Sequence, residues 1–120
     1  MTRINVGIRA SELNNKMLIA EHREIKRIPN CIRKGRYRLD NQPSEFKLGV
    51  GHVKFFYDKL KYLRRRYETL YKECKDRGFN VEYYGRSFDG LPKELYKDYK
   101  PTNYDRTLLQ ARIMKRLEGK

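Results

Sequence analysis

The chain has only two cysteines, Cys31 and Cys74, and neither sits in a CxxC pair. Two free thiols in a reducing compartment are the expectation, and nothing in the pattern supports a single disulfide. The two histidines, His22 and His52, stand alone. They lack the spacing to Cys or to a carboxylate pair that a metal needs, so no metal site is expected. No apolar run approaches the roughly 20 residues of a membrane-spanning helix, and there is no signal-peptide apolar core. A soluble, cytoplasmic protein without a membrane partner is the expectation. The phosphate-cradling pattern GxxxxGK[ST] is missing as well. Acidic residues are the remaining deficit: 15 Asp+Glu face 29 Lys+Arg, a net charge of +14 in 120 residues. That balance says little about fold and much about partners. It points to a polyanion such as nucleic acid, or less readily to an anionic membrane surface.

The length suits one domain with one modest core, and no repeat or linker divides it. Residues 1–10 read as extended, with a turn at Gly7. Ser11 is the expected N-cap of a first helix over 12–28, which Pro29 ends or kinks. Leu13, Met17, Leu18, Ile25 and Ile32 are its expected core positions. Residues 33–50 read as a basic loop. A second helix is expected from 52 or 54 to 76, because Phe56, Leu60, Leu63, Tyr67, Leu70 and Cys74 form a continuous apolar stripe. Gly78 is the natural left-handed residue after it. Arg64, Arg65 and Arg66 are consecutive on this helix, so they cannot all meet one partner. Residues 79–101 read as irregular, mixing tyrosines with basic residues in a way that suits nucleic acid but also suits core completion. A last helix is expected over 103–117 with Thr102 or Asn103 as cap, Leu109, Ile113 and Leu117 as apolar edge, and Arg112 and Arg116 one turn apart on another edge. The fold class is all-α: three main helices, irregular connecting loops and an extended N-terminus.

Two positions carry candidate chemistry. Thr2 is small, so removal of Met1 is expected to leave it with a free α-amine of pKa roughly 7.7–8.0. A useful fraction of such an amine is neutral near pH 7, and a neutral amine can attack an electrophilic carbon to form a Schiff base. Arg3, Arg23 and Arg27 would depress that pKa further if they lay close. The second position is Glu24, which shares an i, i+3, i+4, i+7 helix face with Ala20, Arg23 and Arg27. An ordinary solvated face with local ion pairs is the competing reading. Periodicity leaves both open, because it does not place Thr2 over that face.

Several stretches, in order, resemble the pyrimidine-dimer DNA glycosylase family. They are Met1-Thr2-Arg3-Ile4-Asn5, Ser11-Glu12-Leu13, and Ala20-Glu21-His22-Arg23-Glu24. Gly51-His52-Val53 follows with Phe55-Phe56-Tyr57-Asp58-Lys59-Leu60, then Arg77-Gly78-Phe79-Asn80, Asp98-Tyr99 with Pro101, and Gln110-Ala111-Arg112. The resemblance covers nearly the whole chain. It implies an all-helical three-helix domain acting on UV-damaged double-stranded DNA that carries a cis-syn cyclobutane pyrimidine dimer. It makes the Thr2 amine the nucleophile at C1′ of the dimer's 5′ nucleotide and Glu24 the catalytic carboxylate. The glycosidic bond breaks, an imine forms, and β-elimination cuts the strand. No cofactor is implied, since nothing redox occurs. Arg3, Arg23 and Arg27 match positions that hold phosphates and shape the site, and Arg112 and Arg116 match basic positions near the DNA. Arg33 and Lys34 in the basic loop complete the expected DNA-binding set. A monomer working at the nucleoid of a bacterial cell or phage-infected host is expected.

Where phage members of the family carry a His on the first helix, this chain has Met17. One residue is inserted near Arg9, the basic loop is shorter, and the aromatic C-terminal tail is absent, with Tyr83, Tyr84 and Tyr104 as candidate substitutes. These departures bear on substrate preference more than on chemistry. If Met1 is retained, weak or no lyase activity is expected. Two readings compete: the same imine chemistry on another lesion or on abasic sites, and a non-catalytic basic helical protein that binds nucleic acid.

Overall fold

A computed structural model describes residues 3–49 and 51–118. Among the described residues five α-helices follow one another: α1 Asn15–Glu24, α2 Arg27–Arg33, α3 His52–Phe55, α4 Leu60–Asp76 and α5 Asn103–Glu118. Short 3-10 turns lie at Ala10–Glu12, Gly85–Phe88 and Lys93–Leu95. No strand occurs among the described residues; an isolated bridge pairs Lys59 with Tyr96. The fold is all-α, as expected, but two of the three expected helices are each broken in two.

The first break has a proline at its origin. The Pro29 ring excludes the carbonyl four residues back from helical bonding, and that carbonyl, Ile25's, instead accepts the N–H of Ile28 at 3.3 Å. So α1 stops at Glu24 and α2 starts at Arg27, with Pro29 third in the new helix. First-turn N–H groups have no helical partner, so a residue without one is tolerated there. Pro29 therefore opens a helix rather than ending one. Nor is Ser11 the cap. It sits inside a 3-10 turn that Glu12 closes by accepting the Arg9 N–H at 3.0 Å. Asn14 caps α1 instead, its Oδ1 accepting the Met17 N–H at 2.8 Å.

The second break separates α3 from α4. The Gln42 amide donates to the carbonyls of Lys54 and Phe55 at 3.0 and 3.1 Å, and Lys59 Nζ donates to Phe55 at 2.9 Å. Side chains thus occupy the carbonyls that the next helical turn would have used. Beyond it, α4 behaves as its stripe demands: Leu60, Leu63, Tyr67, Leu70 and Cys74 are all fully buried. Its end is a Schellman cap, with Gly78 at φ +84°, its N–H on Lys75 C=O, and the Phe79 N–H on Cys74 C=O, both at 2.9 Å. Thr102 caps α5 reciprocally: its Oγ1 accepts the Asp105 N–H at 3.1 Å, and Asp105 Oδ2 accepts its N–H at 3.0 Å.

One cluster of buried residues joins all these parts. Ile4, Val6, Ile8 and Ala10 enter it at every second position of the N-terminal segment. A turn interrupts that segment: the Ile8 N–H reaches Asn5 C=O at 3.2 Å, and Gly7 takes φ +80°. α1 packs on α4, and α5 contributes Leu109. Leu117, expected on the apolar edge of α5, is 50% exposed, because the last turns of α5 run beyond the core. The three arginines on α4 part company, as consecutive helical residues must. Arg64 pairs with Asp89, Arg65 with Asp98, and Arg66 turns inward to Glu21. No helix among the described residues is long and apolar enough to cross a membrane.

Candidate active site

α1 presents Met17, Ala20, Glu21 and Glu24 to a cavity of about 260 Å³. These are the i, i+3, i+4 and i+7 positions of one helix face. Arg3 and Asn5 close the cavity from the N-terminal segment, and Arg112, Ile113, Arg116 and Leu117 close it from α5. The functional face is therefore rotated from the one expected. Glu24 and Ala20 keep their places, but Arg23 points outward and is 56% exposed, touching Glu24 Oε2 only at 3.7 Å. Arg27 leaves the face altogether, because the joint at 25–26 puts it on α2, where it is exposed. Met17, expected in the core, packs against it and also forms part of the cavity wall. An apolar thioether thus stands one face-repeat from Glu24.

The Glu24 side chain is only 14% exposed. Arg3, Lys16, Arg112 and Arg116 line its cavity against two carboxylates, Glu21 and Glu24. Glu21 is fully buried and already neutralised: Arg66 donates Nε to its Oε2 at 2.7 Å and Nη2 to its Oε1 at 2.9 Å. Glu24 therefore faces an excess of cations. Arg112 registers the crowding. Burial first, then the charges of Arg3 and Arg116, pull its pKa down to about 10, with Glu24 opposing. A half-buried guanidinium among its own kind is a place where an anion would be welcome.

The N-terminal segment is held at four of its residues by side chains from different elements. His52 of α3 accepts the Ile4 N–H at 2.9 Å. Glu21 of α1 accepts the Asn5 amide at 2.7 Å. Arg106 of α5 donates to Gly7 C=O at 2.6 Å, and Arg66 of α4 donates to Ile8 C=O. Arg3 is consequently carried to the cavity wall by a fixed backbone. Thr2, the expected nucleophile, lies outside the described residues.

On the other side of Arg3 and Arg112 lies a second, larger cavity of about 1100 Å³, which both residues also line. Arg36, Arg38, Lys47 and Lys54 surround it with the rings of Tyr37 and Tyr57, whose centroids are 5.9 Å apart. Of the expected DNA-binding set, Arg3, Arg112 and Arg116 converge with Glu24. Arg23 flanks it, and Arg27 and Lys34 are exposed on α2 and its C-cap. Arg33 is also exposed but is engaged with its own chain, donating to the carbonyls of Ser87 and Asp89 at 3.1 and 2.6 Å. Tyr83, Tyr84 and Tyr104 do not line the Glu24 cavity. Tyr83 bonds Glu68, Tyr84 lies under Lys26 Nζ at 3.6 Å, and Tyr104 is exposed at the start of α5. Among the described residues no group of three or more His, Cys, Asp or Glu is placed to hold a metal ion.

Sequence reasoning missed Asn5, Glu21, Arg66 and His52. Glu21 carried one usable signal, its i, i+4 relation to Met17 and i+3 relation to Glu24. The partnership with Arg66 spans 45 residues and leaves no local trace. Compared with known protein families, residues 1–84 match the model described as pyrimidine dimer DNA glycosylase. The match takes in the N-terminal segment, α1 with Glu24, and the α3–α4 pair, and stops short of Arg112 and Arg116. Spanning well over half of the 120 residues, it establishes that the chain belongs to the pyrimidine dimer DNA glycosylase family of DNA repair enzymes.

Proposed function

We propose that this protein excises cis-syn cyclobutane pyrimidine dimers from duplex DNA and then cuts the strand as an AP lyase, using the α-amine of Thr2 after removal of Met1. The observation that carries this reading is the shielded Glu24 carboxylate in a cationic cavity walled by Arg3, the residue next to Thr2. In this scheme the neutral amine attacks C1′ of the dimer's 5′ nucleotide, the C1′–N bond breaks, and the sugar ring opens to a protonated imine. Glu24 stabilises the developing positive charge and relays protons. It first takes one from the attacking amine and passes it to O4′ as the ring opens, while the departing pyrimidine nitrogen takes its proton from solvent. A carboxylate again, Glu24 then receives one from C2′ as the 3′ phosphate leaves. The iminium is the electron sink for that elimination, so no redox partner is needed.

Arg3, Arg112 and Arg116 would take the phosphates flanking the attacked sugar, which answers the crowding at Arg112. Arg23, Arg27 and Lys34, all exposed, would extend the contact over the surface. Arg33, tied to Ser87 and Asp89, would add mainly field strength. The net +14 supplies salt-dependent attraction to any DNA. The damaged duplex is easier to bend and to open, which lowers the cost of extruding a nucleotide. The larger basic cavity, with Tyr37 and Tyr57, offers room for one.

The test is reductive trapping. Protein with Met1 verified absent is mixed with a duplex holding one cis-syn thymine dimer, borohydride is added, and the modified peptide is identified by mass spectrometry. An adduct on Thr2 is expected. An adduct with an abasic duplex but not with the dimer would keep the chemistry and move the lesion. No adduct with either would overturn the reading in favour of a non-catalytic DNA-binding protein. Glu24→Gln should bind damaged duplex as before and cleave at least about 100-fold more slowly. Equal cleavage would remove Glu24 from the mechanism.

A further inference from the structure

His52 lies in neither the catalytic nor the DNA-contacting set, yet both of its ring nitrogens are committed. Nδ1 stands 2.9 Å from Lys47 C=O, and Nε2 stands 2.9 Å from the backbone nitrogen of Ile4. A carbonyl can only accept, so Nδ1 must carry the proton. An amide N–H can only donate, so Nε2 must carry the lone pair. The two partners together select a single form of the ring, the neutral Nδ1–H tautomer. Protonation would leave two N–H groups facing each other.

We infer that His52 is a positioning residue for the N-terminal amine: by accepting the Ile4 N–H as a neutral imidazole, it sets where the two residues before Ile4 begin, and so delivers the amine to the Glu24 cavity. The inference rests on the imine reading above. Two residues of extended chain reach at most about 7 Å. Holding Ile4 therefore limits how far an amine two residues back can stray from Arg3, which lies on the cavity wall. Amine attack on a sugar carbon is sensitive to placement, and a misplacement of about 1 Å can cost about 100-fold in rate.

The surroundings keep the ring in the required form. Phe46 and Phe56 pack edge-on against it, with centroids 5.3 and 5.4 Å away. The charged groups facing it are Arg3 from the N-terminal segment, Arg112 from α5 and Glu21 from α1, while Lys47 meets it through its carbonyl and Lys54 stands on the same cavity wall. Burial, and after it Arg112 and Arg3, hold its pKa below the ordinary 6.5 against the Lys47 bond and Glu21. Acidification therefore threatens the tether only below the usual histidine range.

Two substitutions test this. Glutamine can place an amide oxygen near the position of Nε2 and does not titrate; leucine offers no acceptor. On a preformed abasic duplex under single-turnover conditions, His52→Leu should trap about ten- to a hundredfold more slowly at saturating protein, where a change in DNA affinity drops out of the rate. His52→Gln should recover most of the rate. Amine titration is common to all forms, so the ratio of His52→Gln to wild-type rate isolates the imidazole, and it should rise as the pH falls through the mildly acidic range. Amide hydrogen exchange at Ile4, read by NMR without DNA, should quicken in His52→Leu and be restored in His52→Gln. Equal trapping by all three proteins, or equal slowing by both substitutions, would overturn the inference. If His52→Leu fails to fold, imidazole nitrogen shifts in the wild type decide, and an Nε2–H or protonated ring at neutral pH overturns it. Wild-type protein that traps nothing counts against the imine reading alone. Ile4 exchange that ignores both substitutions counts against His52 alone.

Discussion

Replacing Arg66 by Met should cost more than any single surface change, and the cost can be worked from its contacts. The guanidinium is 8% exposed and Glu21 is fully buried. Arg66 makes two bonds to that carboxylate and a third to Ile8 C=O. Burial works to lower the Arg66 pKa, and the charge and hydrogen bonds of Glu21 outweigh it, so the net shift is upward. Without the guanidinium, the partner left to Glu21 among the described residues is the Asn5 amide at 2.7 Å. Orphaning one member of a buried pair costs about 3–5 kcal/mol. At about 2.1 cal/mol/K per residue, 120 residues give an unfolding entropy of about 0.25 kcal/mol/K, so about 4 kcal/mol lowers Tm by about 16 °C. Glu21→Met should be similarly costly, because it strands Arg66. The double variant should not be: removing both charges avoids the orphan, and the two costs should fall short of additivity by at least about 2 kcal/mol. Urea unfolding of the four proteins measures the cycle. Additive single and double costs, or a loss under about 1 kcal/mol for Arg66→Met, would refute the claim that the pair is a unit.

Gly7→Ala should destabilise the fold by about 1–3 kcal/mol, because alanine resists the left-handed region and the new Cβ would lie 3.3 Å from Arg106 Cβ; unchanged urea midpoints would refute it. Stability should also fall in mild acid. Burial holds the pKa of both His22 and His52 below 6.5, with Lys26 adding to the effect at His22. The unfolded chain then takes up protons before the folded one does. The stabilisation is fully present above about pH 6.5 and is lost as pH falls toward the depressed values. Urea titrations from neutral to mildly acidic pH should show this in the wild type and less of it in His52→Gln; a flat profile would refute it.

The features legible in the sequence are those decided within a few residues. The α4 stripe is read from spacing because one face of a long helix must be buried. Gly78 and Thr102 are read because a cap is a contract between a side chain or a φ angle and backbone groups at most five positions away. The breaks are a different matter. Pro29 announces an interruption, but whether it ends one helix or begins the next depends on what receives the Ile25 carbonyl. The end of α3 is set by Gln42, which reaches across 12 residues to its first carbonyl. Glu24 is legible from its helix face and from the resemblance, but the face itself is not, because the helical period does not run through the joint at 25–26 to Arg27. The cavity around it is made by three segments that meet only in the folded chain, so no window of sequence contains it.

Chain termini ordinarily fray, because a few end residues gain too little to offset their conformational entropy. Under the proposed imine mechanism this terminus supplies the nucleophile, and such a terminus cannot. The residues nearest it have to be fixed by groups that belong to something rigid, and here each tether comes from a different helix: His52 at Ile4, Glu21 at Asn5, Arg106 at Gly7 and Arg66 at Ile8. This bears on the presence of a buried Arg–Glu pair, which apolar residues could often replace without loss of stability. An apolar pair would not hold Asn5 or Ile8. The double Glu21 and Arg66 variant separates the two roles. It should approach wild-type stability while trapping an abasic duplex about tenfold more slowly, since the segment loses two of its four anchors. Wild-type trapping in that variant would mean that the pair serves folding alone.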